Sequence, residues 1–359
     1  MFTSEEKQRY DRHIRLEEVG EDGQERIKNS KVLVVGAGGL GCPVLQYLSA
    51  AGIGEIGVLD ADKVSISNLQ RQVLYSIKDI GKQKTTTSIE VLSDQNDLVK
   101  FNDYPFYLDK HNALDVIKKY DIVVDCTDNF SARYLINDAC VILKKPFVYG
   151  ALHKFEGQLS VFNYKNGPTY RCLYPNPPQN NEIPNCSEVG VIGVLPSLIG
   201  TLQATEVLKI ILKIGDVLCG KILTYDTLKN IQQIISFTKQ NNNITKLSDY
   251  DFSCKISNDG EILTNELKDW IENKKKFNLI DIREEFERDD YKLNDTHFIP
   301  MGEIMSFLNL IERTIPSVIY CQTGNKSKAV VAMLKKQGFS EVYGLVGGVH
   351  QWVTNELNS

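Results

Sequence analysis

A chain of 359 residues is too long for one ordinary hydrophobic core and suits two domains. Its hydrophobic content of 42% and charged content of 24% are ordinary for a globular protein, and no apolar run reaches the length of a membrane span. A net charge of -5 argues against a general nucleic-acid surface.

The start, MFTSEEKQRYDRH, is polar and lacks the apolar core of a secretory signal, so a cytoplasmic protein is expected, with neither membrane nor nucleic acid as partner. The eight cysteines are widely spaced, and in a reducing compartment they are expected as buried apolar residues or reactive thiols rather than disulfides. A helix is predicted near residues 4–10, followed by the cations Arg12, His13 and Arg15, which by themselves read as a solvated helix face. Residues 32–35 are apolar and β-branched enough for a strand buried on both faces of a parallel sheet. The chain then turns on Gly36, Gly38, Gly39 and Gly41 into a helix over 40–51, whose free amides and dipole suit a phosphate. A second apolar run, 56–59, ends in Asp60, where an acidic side chain accepts from ribose hydroxyls. Such a turn also serves simply to pack a helix on a strand. In this context it points to a nucleotide, with NAD and ATP both open.

Next come Ser67, Asn68, Leu69, Gln70, Arg71 and Gln72, and then Lys84 at the start of a polar helix. Arg71 and Lys84 follow the carboxyl end of the second strand, where open α/β sheets gather ligands, and two cations there suit a polyphosphate. A strand over 121–125 runs into Cys126, Thr127, Asp128 and Asn129. The Asp-Asn pair offers oxygen ligands for Mg2+, and the alternative role for Asp128 is to cap the following helix. A helix over 132–144 and strands over 147–149 and 158–163 follow. Four prolines between 169 and 187 predict an irregular, mobile crossover loop, with Cys186 at its far end as an accessible thiol. A helix over 194–214 and strands over 221–225 and 231–237 complete the sheet.

Residues 239–251 hold three consecutive asparagines and no apolar period, and read as a linker. Beyond it, helices over 264–273, 302–312 and 327–337 alternate with strands over 277–282, 317–321 and 341–345 as a small parallel α/β unit. Cys321 stands at a strand end, and the loop from Cys321 to Lys326 leads straight into a helix. Loop amides, the helix dipole and Lys326 all favour a thiolate, which makes Cys321 the best candidate nucleophile.

Tyr10-Asp11-Arg12, the glycine turn, Asp60, the run from Ser67 to Arg71, Lys84, Asp128-Asn129 and Cys186 recur in order as in the MoeB/ThiF family of ubiquitin-activating-type adenylyltransferases, which residues 5–237 resemble. The second half resembles a rhodanese through Asp281-Ile282-Arg283-Glu284, His297-Phe298-Ile299-Pro300, the loop from Cys321 and Leu345-Val346-Gly347-Gly348. The resemblance implies a Rossmann-like open sheet over 1–238, a linker over 239–252 and a small α/β rhodanese domain over 253–359. It implies ATP on the glycine turn, Asp60 on the ribose, Arg71 and Lys84 on the phosphates, Mg2+ on Asp128, and Arg12 reaching into the partner's site of a homodimer. The implied substrate is the C-terminal Gly-Gly carboxylate of a ubiquitin-like sulfur carrier. Adenylation would be followed by sulfur transfer from a persulfide on Cys321, charged by a donor such as a cysteine desulfurase or thiosulfate. Cys186 would either join the carrier or resolve the persulfide adduct. The pathway, thiamine, molybdopterin or tRNA thiolation, stays open.

Two departures stand out. Family members commonly hold zinc on two Cys-x-x-Cys pairs, whereas here Cys172 is followed by Leu173-Tyr174-Pro175 and no pair follows Phe237, so no structural zinc is expected. The rhodanese loop ends in Lys326, where arginine is frequent, which leaves its sulfur donor open. Two rival functions are an NAD-dependent oxidoreductase, favoured by the glycine turn and Asp60 alone, and a non-catalytic scaffold that docks a sulfur carrier.

Overall fold

The computed structural model describes residues 2–176, 190–240, 244–247, 260–288, 291 and 293–357. The chain divides into two compact units, residues 1–252 and 253–359.

The first unit is built on an eight-stranded sheet. Its strands are β1 (Lys31–Val35), β2 (Glu55–Leu59), β3 (Lys100–Tyr104), β4 (Ile122–Asp125), β5 (Phe147–His153), β6 (Glu156–Phe162), β7 (Lys221–Asp226) and β8 (Ile231–Ser236). They lie in the order β3-β2-β1-β4-β5-β6-β7-β8. The first five are parallel and the last three join antiparallel. β1 is apolar throughout its buried length because both of its faces are covered. Val32 and Val34 pack with Leu45 and Leu48 of the helix Gly41–Ala51 and with Ile199 and Val207 of the helix Val194–Leu212. Leu33 and Val35 face the other way, onto Tyr134, Leu135 and Ala139 of the helix Phe130–Ile142. Among the described residues, Val194–Leu212 is the one helix long and apolar enough to cross a membrane, and half of that stretch is buried in this unit's core.

Strand register sets the position of the site. Tyr104, Leu59, Val35, Asp125 and Tyr149 are successive partners across β3, β2, β1, β4 and β5. The residues one step beyond them, Asp60, Gly36 and Cys126, therefore emerge side by side at the carboxyl edge. Strand order reverses between β1 and β4, the place where open α/β sheets bind ligands.

The second unit carries β9 (Glu261–Ile262), β10 (Asn278–Asp281), β11 (His297–Phe298), β12 (Ser317–Tyr320) and β13 (Val342–Leu345). These form an all-parallel sheet in the order β11-β10-β12-β13-β9.

Several local expectations need correction. The span predicted as a helix over 302–312 is a 3-10 helix, Met301–Leu310, interrupted at Phe307 with φ -113°. The proline-rich segment opens with a helical turn, Tyr170–Leu173, capped by Thr169, and its remaining residues 177–189, including Cys186, lie outside the described residues. Lys239 and Gln240 belong to the first unit rather than to a free linker: Lys239 Nζ donates to the Asn166 carbonyl at 2.9 Å, and the Gln240 amide donates to Cys172 Sγ at 3.2 Å. Among the described residues no three His, Cys, Asp or Glu side chains converge as a metal site.

Candidate active sites

The glycine turn is held from three sides. The Gly36 amide donates to the Leu59 carbonyl at 2.7 Å, and its φ of +98° puts it in glycine's region. A Cβ on Gly36 would stand 2.7 Å from the Cys126 carbonyl oxygen, and one on Gly41 would stand 1.9 Å from the Gly36 carbonyl oxygen. Neither position tolerates a side chain without moving backbone. Ala37 between them donates its amide to Asp60 Oδ2 at 2.8 Å and accepts from the buried Tyr75 hydroxyl at 2.7 Å.

Asp60 also accepts from the Asp62 amide, and burial pushes its carboxyl up against the pull of the Lys84 ammonium. Lys84 is buried at the first position of the helix Lys84–Gln95. Its Nζ lies 2.8 Å from Asp62 Oδ2 and 4.0 Å from Asp60 Oδ2, so this cation is tied to the carboxylates after β2 rather than standing free above the turn. Asp62 also accepts from the exposed Tyr107 hydroxyl at 2.9 Å. Although the ring is largely exposed, Tyr107 is pushed up to about 12 by partial desolvation of its hydroxyl, by that bond and by the negative charges of Asp62, Asp60 and Asp128. The three carboxylates thus act on one phenol.

The run from Ser67 to Gln72 lines the other side of the turn. Asn68 Oδ1 caps its own 3-10 turn by accepting from the Ser65 amide, and the Arg71 guanidinium donates to the Ser67 carbonyl at 3.0 Å. The Arg71 stem passes Gly39, with Cγ 3.5 Å from where a Cβ would stand. Leu69 packs against the core, and the Gln70 carbonyl and side chain bar any side chain from Gly193.

Past β4, the capping alternative falls to the neighbour: Asn129 Oδ1, not Asp128, accepts from the Ala132 amide at 2.9 Å. Asp128 is left exposed, without a hydrogen bond or ion pair among the described residues. Below it, Asp125 is fully buried, with one oxygen bonded by Thr127 and the other without a partner among the described residues. Burial pushes this carboxyl up, opposed first by the Arg133 guanidinium, which itself donates to the Thr127 carbonyl.

Arg12 is exposed on a short helix, Asp11–Ile14. The preceding Tyr10 is buried against Gly52, where its hydroxyl accepts from Asn96 Nδ2 at 3.0 Å. Two further residues at this turn, Asp62 and Tyr75, were not singled out from the sequence, and Gln72 was named there only as the end of the run from Ser67. Gln72 is buried, with Nε2 3.5 Å from the Gly38 Cβ position and Oε1 without a partner among the described residues. Its place directly after Arg71 was the available signal, whereas nothing in the sequence marks Tyr75. Cys42, Cys126 and Cys140 are buried thiols pushed up by burial, and their place is in the core.

In the second unit, Cys321 follows β12 and is 1% exposed. Its Sγ accepts from the Gly324 amide at 3.2 Å, and Gly324, at φ +88°, turns the loop into the helix Asn325–Lys336. Gly348 closes over the loop, since a Cβ there would stand 2.2 Å from the Cys321 carbonyl oxygen. Arg283 braces the base: it pairs with Asp281 through Nη2 at 2.9 Å and donates through Nη1 to Gln322 Oε1 at 3.1 Å. Lys326, expected to act on the thiol, places its ammonium 2.8 and 3.0 Å from the two carboxylate oxygens of Glu287.

Residues 10–247 match the ThiF family model, two thirds of the chain. The chain belongs to the ThiF family. Residues 263–355 match the rhodanese-like domain. This ThiF-family chain is 40% identical over 368 residues to the probable adenylyltransferase/sulfurtransferase MoeZ of Mycobacterium tuberculosis, spanning 98% of this chain and 94% of that protein. It is 36% identical over 388 residues to adenylyltransferase and sulfurtransferase MOCS3 of Culex quinquefasciatus, spanning 99% and 89%. The sulfur carrier protein adenylyltransferase of Thermus thermophilus is 50% identical over 233 residues, spanning 64% and 86%. Among solved structures, Escherichia coli MccB with MccA-N7isoASN superposes with a TM-score of 0.59 at 21% identity, over 68% of this chain and 75% of that one, a likeness of fold alone. The family and the near full-length relatives make the chain an ATP-using adenylyltransferase joined to a sulfurtransferase. The oxidoreductase and scaffold alternatives fall with that membership.

Proposed function

We propose that the chain adenylates the C-terminal Gly-Gly carboxylate of a ubiquitin-like sulfur carrier and then converts it to a thiocarboxylate. The observation that carries the adenylation half is the convergence of the glycine turn, Asp60, Arg71 and Asp128 around the reversal between β1 and β4. In this reading the free amides of the turn and Arg71 receive the phosphates, Asp60 receives the ribose, and Ser67, Asn68, Leu69 and Gln70 hold Arg71 in place. Lys84 sits at the junction of ribose and phosphates. Its charge neutralises the polyphosphate once Asp62 shares it.

Asp128 fits Mg2+: it is a hard oxygen ligand, exposed at a strand end with no hydrogen bond or ion pair among the described residues, and Mg2+ takes one or two carboxylates together with phosphate oxygens. Bound there beside Asn129, the ion would neutralise the phosphates as pyrophosphate leaves. The carrier's carboxylate oxygen attacks the α-phosphorus, a displacement that needs positioning and charge neutralisation more than covalent catalysis. Arg12, exposed and presented by the buried Tyr10, serves the partner's site in a homodimer.

In the second half, the outer sulfur of a Cys321 persulfide attacks the adenylated carbonyl and AMP leaves. A second thiol then attacks Cys321 Sγ, forming a disulfide with it as the S–S bond to the carrier breaks and the thiocarboxylate leaves; Cys186 is the candidate for this step or for a covalent bond to the carrier. The test of the adenylation half is carrier-dependent exchange between ATP and pyrophosphate. Wild type is expected to exchange, and Asp128→Ala to lose exchange by at least about a hundredfold. Exchange at the wild-type rate in Asp128→Ala would remove Asp128 from the reaction.

A further inference from the structure

The sulfurtransferase unit holds its cations in an unusual state for a site that receives anions. Lys326, in the first turn of the helix after the Cys321 loop, is the charge closest in sequence to that loop. Its ammonium is engaged by both oxygens of Glu287, at 2.8 and 3.0 Å, although the lysine side chain is 48% exposed. The pair is built from both ends. Glu287 Oε2 accepts from the Glu284 amide at 2.9 Å, and the Glu287 carbonyl accepts from Arg283 Nη1 at 3.1 Å. That same Arg283 nitrogen reaches Gln322 Oε1 inside the loop, so Glu287 and the loop share one brace. The neighbouring cations are also paired: Arg283 and Arg288 with Asp281, and Lys328 with Glu261 at 3.2 Å.

We propose that Glu287 is a donor-specificity residue, which masks Lys326 so that Cys321 accepts sulfur from a thiol-borne persulfide in preference to an inorganic dianion such as thiosulfate. The proposal rests on the sulfur-transfer half of the function above. A masked ammonium offers little attraction to a dianion, whereas a persulfide carries at most one negative charge at its reacting end. The transfer balances without an outside oxidant or reductant. Cys321 loses its thiol proton to solvent, and its sulfur attacks the outer sulfur of the donor persulfide. A new Sγ–S bond forms, the donor's own S–S bond breaks, and the electron pair leaves with the donor as a thiolate. With thiosulfate the leaving group is sulfite.

The test measures sulfur transfer to cyanide by the full chain, with thiosulfate and with cysteine persulfide as alternative donors. Glu287→Gln is expected to raise kcat/KM for thiosulfate about tenfold, to make that rate fall with added salt, and to change the cysteine persulfide rate less than about twofold. Lys326→Gln, which leaves Glu287 unmasked, is expected to lower the thiosulfate rate by a similar factor. The double variant should return close to wild type. Either single variant tests the idea should the other misfold. A thiosulfate rate unchanged or lowered in Glu287→Gln, or both donors raised equally, would overturn it. Exchange of ATP with pyrophosphate, read on the same Glu287→Gln protein, reports separately on the adenylation half and is expected to be unchanged.

Discussion

Lys84 Nζ lies 2.8 Å from Asp62 Oδ2, in a pair whose lysine is 6% exposed while its aspartate is 51% exposed. Burial alone would raise the Asp62 pKa, but the hydrogen bond and charge of Lys84, together with the Tyr107 hydroxyl, outweigh it and the carboxyl titrates low. The pair keeps a cation in place beside Asp60 before any nucleotide arrives. Lys84→Met is therefore expected to cut exchange by about two to three orders of magnitude. Its stability cost should be about 1–2 kcal/mol, less than for a fully buried pair because Asp62 is half in solvent. Asp62→Asn keeps the ammonium and should retain exchange within about tenfold. Steady-state exchange against ATP concentration checks both, and a Lys84→Met protein with wild-type turnover would reduce Lys84 to a brace for the two aspartates.

Acid sensitivity has an identifiable source in the first unit. Asp79 accepts from the Ser76 hydroxyl and amide and pairs with Lys82, and those bonds hold its pKa down to about 2. A group depressed on folding adds stability above its unfolded pKa, near 4, and that stability is lost as pH falls from about 4 through 2. Asp79→Asn should flatten the fall in melting temperature across this window and leave a lower but less pH-dependent protein at pH 7. An unchanged acid slope in Asp79→Asn would move the sensitivity elsewhere.

Legibility followed how local each determinant is. The strand at Val32 to Val35 and the turn after it could be read because burial on both faces and the glycines' close approaches are written in consecutive residues. The Cys321 loop was legible for the same reason. The partner of Lys84 was not, since Asp62 stands 22 positions earlier and meets it only through the packing of a helix start against the edge of β2. Asp128 and Asn129 are both good caps, and sequence offers no way to choose; the backbone gave the cap to Asn129 and left Asp128 exposed. Met301 and Ile304, like Leu308 and Ile311, are three apart, a spacing that suits an α or a 3-10 period alike, so the 3-10 helix from Met301 is not legible in the sequence. Glu287, 39 positions before Lys326, was invisible until the loop and strand β10 were folded together.

The role proposed for Arg12 can be tested by complementation. If Arg12 serves the partner's site, Arg12→Ala and Asp128→Ala subunits, each inactive alone, should restore one intact site per mixed dimer. A one-to-one mixture should then recover roughly a quarter of wild-type exchange. No recovery in mixtures shown to contain mixed dimers would place Arg12 in its own subunit's site.

The central claim is a division of labour, with the glycine-turn unit activating a carboxylate and Cys321 supplying its sulfur. The most direct measurement follows Cys321→Ala in two assays on the same protein, carrier-dependent ATP–pyrophosphate exchange and carrier thiocarboxylate by mass. The account predicts exchange within about twofold of wild type and no thiocarboxylate. Thiocarboxylate formed at the normal rate in Cys321→Ala would contradict it.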